Sequence, residues 1–535
     1  MKFNPNYNPY PSARTTHYAK NGMVATSHPL AAAAGLEILK KGGNAVDAAV
    51  AAAACLTVVE PTSNGIGGDA FAIVHMNGEI HGLDASGYAP NGISIEAVKK
   101  AGNDKMPVMG WLPVMVPGIP AAWAELSQRF GALSLSDCVA PAVDYAKEGH
   151  PVSPIVAKYW KRGYEAYSGR LTAEEFLPWF NTFAQNGTSP QAGDIWTSSS
   201  HGDTLADIGK TNAESFYRGE LAEKIASFAK KTGGLLTETD LGAYKPRWVM
   251  PLSVNYKGYD IWEMPPPGQG LVALIALNIL KDYEFNENDP ASYHRAFEAI
   301  KLAFAAGKEY ITDPKHMKID PEELLGDAYT KVLQNKIGKT AARPAAVSPN
   351  SGGTVYLAAA DGYGNMVSYI QSNYMGFGSG IVVPGTGVAL QNRGADFSLD
   401  PKHANALAGG KQTYHTIIPG FVTKNNKAVG PFGVMGGYMQ PQGHLQVMIN
   451  SIDLGLNPQM ALDAPRWQWM SDKNFQVEHH FPRHIAGELA GKGHQIHIPL
   501  DSGSFGRGQI IWRNPDSGVL CGGTESRCDG SIASW

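Results

Sequence analysis

Residues 350–361, NSGGTVYLAAAD, constrain this chain more than any other stretch. Val355, Tyr356 and Leu357 favour an extended strand, whereas Ser351, Gly352 and Gly353 form a junction whose glycines adopt backbone conformations closed to other residues. The peptide bond between Gly353 and Thr354 can then be bent toward the threonine hydroxyl. If that bond breaks, Thr354 gains a free α-amine with an ordinary pKa of about 7.7–8.0, close enough to act as general base for its own hydroxyl. No separate histidine is needed. Taken alone, Gly-Gly-Thr is also a common way for a turn to enter a strand, so other segments must decide between the two readings.

The chain has 535 residues, enough for a large core and for either several domains or one large α/β architecture. Its 44 basic and 48 acidic side chains give a formal net charge of −4 without a long run of either sign. Nucleic-acid and polybasic membrane binding therefore have no support, and a small neutral or anionic substrate stays open. Four cysteines, Cys55, Cys138, Cys521 and Cys528, do not make a disulfide scaffold in so long a chain. The neighbours of Cys521 and Cys528 do not match zinc spacings. The N-terminal 22 residues are polar and broken by proline, with no apolar h-region. The longest apolar stretch, 46–59, is short of the roughly 20 residues of a membrane span. We expect a cytoplasmic protein with no membrane partner.

Along the chain, LAAAAGLEILKKG and AVDAAVAAAACLTVV read as two helices of small residues separated by a Gly-Gly-Asn break. FAIVHMNGEIHGLD is two strand-like runs joined by Asn77-Gly78, a hairpin signal. Helical patterns dominate from about 119 to 230, and ASYHRAFEAIKLAFAAGKEYI at 291–311 is a further helix candidate. Residues 335–353 lose apolar periodicity and gather Pro, Ala, Ser and Gly, as an exposed linker does. Thr354 stands at its end. Strand-like runs VYLAAAD, MVSYIQSN, IIPGFVTKN and AVGPFGVMGG follow, then a helix candidate at 443–455. Two hairpin-rich regions with flanking helices predict facing sheets with helices outside.

GGNAVDAAVAAAACLTVVEPTSNGIGGDAFAIVH at 42–75, MPPPGQG at 264–270, GGTVYLAAAD, FGSGIVVPGTGVALQNRGADFS, VMGGYMQPQGHLQVMINSIDLG and ALDAPRW stand in order along nearly the whole chain. Together they resemble the γ-glutamyltransferase family of N-terminal-nucleophile hydrolases. That resemblance implies an α+β fold, a four-layer αββα sandwich. It also implies a proenzyme cut into a large fragment, 1–353, and a small fragment, 354–535, which stay associated as one intertwined domain. Thr354 falls on the family's nucleophile. Ser372 falls where a second threonine supports the nucleophile's amine, Asp396 on the aspartate that holds the donor's α-amine, and Gly436 and Gly437 on the glycine pair whose N–H groups hold the oxyanion.

Departures from the pattern bear on the substrate. Ser86 occupies the place of the arginine that grips the donor's α-carboxylate, Tyr374 that of an asparagine, Arg393 that of a glutamine, and His415 and Thr416 that of a Ser-Ser pair. The expectation is that the cation has moved, with Arg393 offering the bidentate carboxylate contact that Ser86 lacks and with Tyr374, His415 and Thr416 lining the substrate site. The alternative is an Arg393 that only pairs with an acid near its own turn. QSNYMGFGSG and TYHTIIPG resemble the cytoplasmic bacterial glutathione hydrolase-like subgroup, and also oxamate amidohydrolase.

Other readings have less to stand on. His480 and His484 have helical spacing, but Pro482 between them breaks a shared face. The glycine loops at 65–68, 376–380 and 433–437 complete neither nucleotide-binding motif. A processed but non-catalytic binding protein is a third class. We expect an autoprocessing threonine amidohydrolase that acts on a γ-glutamyl compound or a small carboxylate-bearing amide. It would use no metal or other cofactor and would assemble as a homo-oligomer of the cleaved heterodimer.

Overall fold

The computed structural model describes residues 14–343 and 353–535. Residues 344–352, within the run 335–353 expected as a linker, lie outside the described residues. Two seven-stranded sheets form the centre. The first runs Ser531–Ser534, Gly22–Thr26, Gly353–Asp361, Met366–Tyr374, Asp69–Met76, Glu79–Ala85, Arg247–Val249. The second runs His17–Ala19, Leu520–Thr524, Arg507–Arg513, Lys427–Met435, Gly420–Lys424, Tyr259–Glu263, Leu252–Tyr256. Both sheets mix strands from before and after residue 353.

The sheets face each other across an apolar layer in which Phe71, Tyr356 and Ile370 of the first meet Phe421, Met435 and Ile511 of the second. Helices cover the outer faces. On the first sheet, Pro29–Lys40 and Ala45–Val59 belong to one large core, and on the second, Gly270–Leu280 and Pro290–Tyr310 belong to another. The result is the expected four-layer arrangement. Its physical cause is that each sheet has two apolar faces and needs a partner on both.

Local chemistry explains the elements. Asn44 caps Ala45–Val59 through a reciprocal capping box with Asp47, and all fifteen residues of that helix are buried. Alanine on most of its faces permits this, since a Cβ on Gly35 of the neighbouring helix would lie 2.9 Å from the Ala48 carbonyl oxygen. Asn77 and Gly78 both take positive φ, 54° and 87°, and pair Asp69–Met76 with Glu79–Ala85 as the hairpin signal predicts. The helix expected at 443–455 instead runs Gln440–Met448 and continues as a wider turn over Ile449–Asp453. Pro441, in its first turn, suits an earlier start. All four cysteines are free thiols, and among the described residues no helix is long and apolar enough to cross a membrane.

Candidate active site

Gly353–Asp361 and Met366–Tyr374 form the central hairpin of the first sheet. Their register couples Gly353 to Tyr374 and Val355 to Gln371, with a shift between, so Thr354 sits in an irregularity of the ladder. Such a bulge re-aims a side chain. The Thr354 hydroxyl donates to the Gly353 carbonyl at 2.7 Å, and the Ser372 hydroxyl reaches the same oxygen at 2.6 Å. The two hydroxyl oxygens are 3.2 Å apart. Ser372 also accepts the Tyr374 N–H at 2.7 Å, and Tyr374 holds an unusual φ of 75° for a bulky residue. Thr354 and Ser372 are both buried.

Gly436 and Gly437 end the strand Lys427–Met435 and lead into the helix Gln440–Met448, with φ of 137° and 60°. The turn is held from beneath, where the Gln269 amide donates to the Gly437 carbonyl at 2.9 Å and also to the Thr416 carbonyl. Gly353 and Gly436 line one cavity, so the residue before Thr354 and the first glycine of the pair share the same space. N–H groups at the start of a helix are suited to negative charge.

A polar cluster extends from Tyr374. Its hydroxyl donates to Asp396 Oδ1 at 2.8 Å, and the Tyr438 hydroxyl donates to the same oxygen at 3.1 Å. Asp396 Oδ2 is buried with no hydrogen-bond partner. Lys308 bonds the Tyr438 hydroxyl and lies over the Tyr414 and Tyr438 rings, 4.2 and 3.9 Å from their centroids. Burial lowers the Lys308 pKa to about 8 against the opposing pull of Asp396. Sequence reasoning passed over Lys308, Tyr438 and Gln269.

Arg393 is not free for the role expected of it. Its Nε and Nη2 meet the two carboxylate oxygens of Asp69 at 2.9 and 3.3 Å, its Nη1 donates to Thr416 Oγ1 at 2.6 Å, and it packs 4.2 Å from the Tyr374 ring centroid. The fork assigned to a donor carboxylate holds an internal one. The acid comes from a distant strand, not from Arg393's own turn. His415 shares that acid, with Nε2 at 2.8 Å from Asp69 Oδ2. Burial pushes the Asp69 carboxyl up, but Arg393 and His415 outweigh it and bring it to about 2. Burial and then Arg393 lower His415. His415 and Thr416 thus touch the Asp69–Arg393 pair. Ser86 is buried between Asp84 and Gln412, both at 2.6 Å, while Arg247 pairs with Asp84 at 2.6 Å.

Among the described residues, His294, Glu298 and His494 bring ligand-type atoms within 4.8 Å of one another. The Lys301 ammonium already pairs with Glu298 at 2.5 Å, so a metal cation there would have to displace a resident one. The same cluster anchors the chain ahead of the Gly353 junction, since His294 bonds the Gly338 carbonyl at 2.9 Å and Lys301 the Ala342 carbonyl at 2.7 Å.

Comparison with known proteins matches the chain to a family. A relative described as glutathione hydrolase-like YwrD proenzyme, from Bacillus subtilis, is 35% identical over 95% of this chain and 97% of its own length. An oxamate amidohydrolase proenzyme from Klebsiella pneumoniae is 35% identical over 97% of this chain and 100% of its own. The solved structure of a cephalosporin acylase from Bacillus halodurans is 58% identical, superposes with a TM-score of 0.97, and covers 100% of this chain and 99% of that one. The γ-glutamyltranspeptidase family model matches residues 31–535, and with this geometry of Thr354, Ser372 and the glycine pair the chain belongs to that family of N-terminal-nucleophile hydrolases.

Proposed function

We propose that the chain cleaves itself between Gly353 and Thr354 and then works as an amidohydrolase through the freed Thr354. The observation that carries this reading is the pair of hydroxyls on the Gly353 carbonyl, at 2.7 and 2.6 Å. In the first step Thr354 Oγ1 bonds to the Gly353 carbonyl carbon, the C–N bond breaks, and the hydroxyl proton moves to the Thr354 nitrogen. Water hydrolyses the resulting ester. The large fragment 1–353 then ends in a carboxylate, and the small fragment 354–535 begins with a free amine. In turnover that amine takes the hydroxyl proton, the oxygen attacks an amide carbonyl, and Gly436 and Gly437 hold the oxyanion. The proton passes to the leaving amine. Water or another amine resolves the acyl-enzyme.

The donor's charged end is assigned to Asp396 and Lys308. Asp396 Oδ2, buried and unpartnered, suits a donor α-amine, and the Lys308 ammonium suits a carboxylate. Arg393 and His415 then act as positioning residues, through Asp69, Thr416 and the Tyr374 ring. This assignment supports γ-glutamyl donors, in line with the glutathione hydrolase relatives. A small carboxylate-bearing amide is the second reading, supported by the same cation and by the oxamate amidohydrolase relative.

The test is a panel of γ-glutamyl amides, glutaryl amides and oxamate, run alongside labelling by an electrophilic glutamine analogue. Label on Thr354 and turnover of at least one amide are expected. Asp396→Ala should penalise donors with a free α-amine and spare oxamate, which has none. A wild-type protein that neither takes label nor turns over any member would overturn the proposal.

A further inference from the structure

A second cavity, of about 300 Å³, lies between segments from before and after residue 353, with Phe285, Glu287 and Tyr293 on one side and Ile449, Trp467 and Phe481 on the other. None of Thr354, Ser372, Asp396 and Gly436 lines it. Ile449 begins the wider helical turn Ile449–Asp453, and local widening of this kind recurs at functional sites. The volume is at the lower end of the roughly 300–1,000 Å³ of small-molecule sites.

Three of its rings stand nearly at right angles in succession. Phe285 and Tyr293 are 5.0 Å apart between centroids with their planes at 73°, and Tyr293 and Phe481 are 5.1 Å apart at 77°. Trp467 adds a fourth, buried aromatic wall. Rings so arranged turn their π faces in different directions around one space, as in the aromatic cages that receive ammonium ions. Glu287 is the one carboxylate in the walls, is exposed, and has no hydrogen bond or ion pair among the described residues. Among those residues no Lys, Arg or His lines the cavity. Arg295, two positions beyond Tyr293, is turned to Asp289 at 3.7 Å and to the Ser292 hydroxyl at 3.2 Å, and lies over the Tyr283 ring. His480 and Arg483 flank Phe481 and Pro482 in the chain but are exposed and outside the walls. Burial, and then Glu287, push the Tyr293 hydroxyl up to about 12, so it stays neutral near pH 7.

We propose that this cavity is a binding site for a small organic ammonium ion, its alkylated head among the rings of Phe285, Tyr293, Trp467 and Phe481 and its charge facing Glu287. Apolar walls alone would accept any hydrophobic molecule of the right size. The unpaired carboxylate and the walls without a cation select a positive one. An anion would meet Glu287 with nothing to offset the repulsion. The site stands apart from the amidase chemistry and does not depend on it.

Calorimetry on the full chain tests this with two probes of one shape, choline and dimethylbutanol, its neutral carbon isostere. Choline should bind about tenfold more tightly or better, the scale of cation–π contacts in a desolvated site. Phe285→Leu keeps apolar bulk but removes a π face, so it should weaken choline and leave the alcohol nearly unchanged. Glu287→Gln, at an exposed position, should shrink the preference in the same way. Equal affinities for the two probes, no measurable binding of choline, or a preference that survives both substitutions would overturn the proposal. None of these readouts involves Thr354, so such a result counts against this site alone, whereas failure to label Thr354 counts against the proposed function.

Discussion

Asp69 sets one carboxylate against Arg393 and His415 at a place where none of the three reaches solvent. Removing that charge by Asp69→Asn leaves a buried guanidinium uncompensated, which typically costs about 3–5 kcal/mol; denaturant unfolding should register a loss of that order. The pH dependence has a definite sign. The folded pKa of Asp69 is lowered from 3.8 to about 2, so its contribution is present above 3.8 and is lost as pH falls toward 2. The Asn variant should lack that acid-side change. Ser372→Ala is expected to slow both maturation and turnover by about 10²–10⁴-fold while the protein stays folded, as read by fragment formation and kcat; unchanged rates would remove its role. Lys308 titrates at about 8, so the KM for carboxylate-bearing donors should rise above that pH, and Lys308→Met should abolish this dependence. On the proposed mechanism the freed Thr354 amine, with an ordinary pKa of about 7.7–8.0, would act on kcat instead, and the split between KM and kcat separates the two groups. Thr354 stood out in the sequence through its Gly-Gly-Thr junction and Ser372 only through the family resemblance; the hairpin then brings their hydroxyls to 3.2 Å. The Asp69–Arg393 pair was not legible there, since 324 positions separate its members. Lys308 reads in sequence as an ordinary cation near a helix C-terminus, and only the fold turns it onto Tyr414 and Tyr438.

At the scale of elements, the strand Met366–Tyr374 is pressed on one side by the turn through Gly67 and Gly68. A Cβ on Gly68 would lie 2.4 Å from the Ser372 carbonyl oxygen, a contact with backbone that no rotamer relieves. Gly68→Ala should therefore shift the end of that strand and slow maturation, whereas Gly92→Ala, whose Cβ meets nothing within 4 Å, should mature at the wild-type rate. Equal maturation in the two variants would show that the hydroxyl geometry tolerates strand movement. The hairpins and most helices were readable from period and turn chemistry, as at Asn77-Gly78 and the Asn44 cap. The bulge at Thr354 and the φ of 75° at Tyr374 were not, because both lie in the register between the two strands of the hairpin, which no single-residue preference announces.

For the whole molecule, both sheets interleave strands from either side of residue 353, so a cut there severs one connection and leaves the ladders intact. The order of the family's motifs made the four layers legible before any coordinate. The cavity beside Gly353 was not, since its walls come from segments as far apart as Thr62 and Arg507. The fragments should co-purify under native conditions and separate only on denaturation. Intact-mass analysis with N-terminal sequencing of the denatured wild type and of Thr354→Ala tests the central claim most directly. Fragments 1–353 and 354–535, the second beginning at Thr354, are expected for the wild type, and a single uncut chain for the variant. A wild-type cut at any other bond, or a Thr354→Ala protein that still divides at this one, would contradict it.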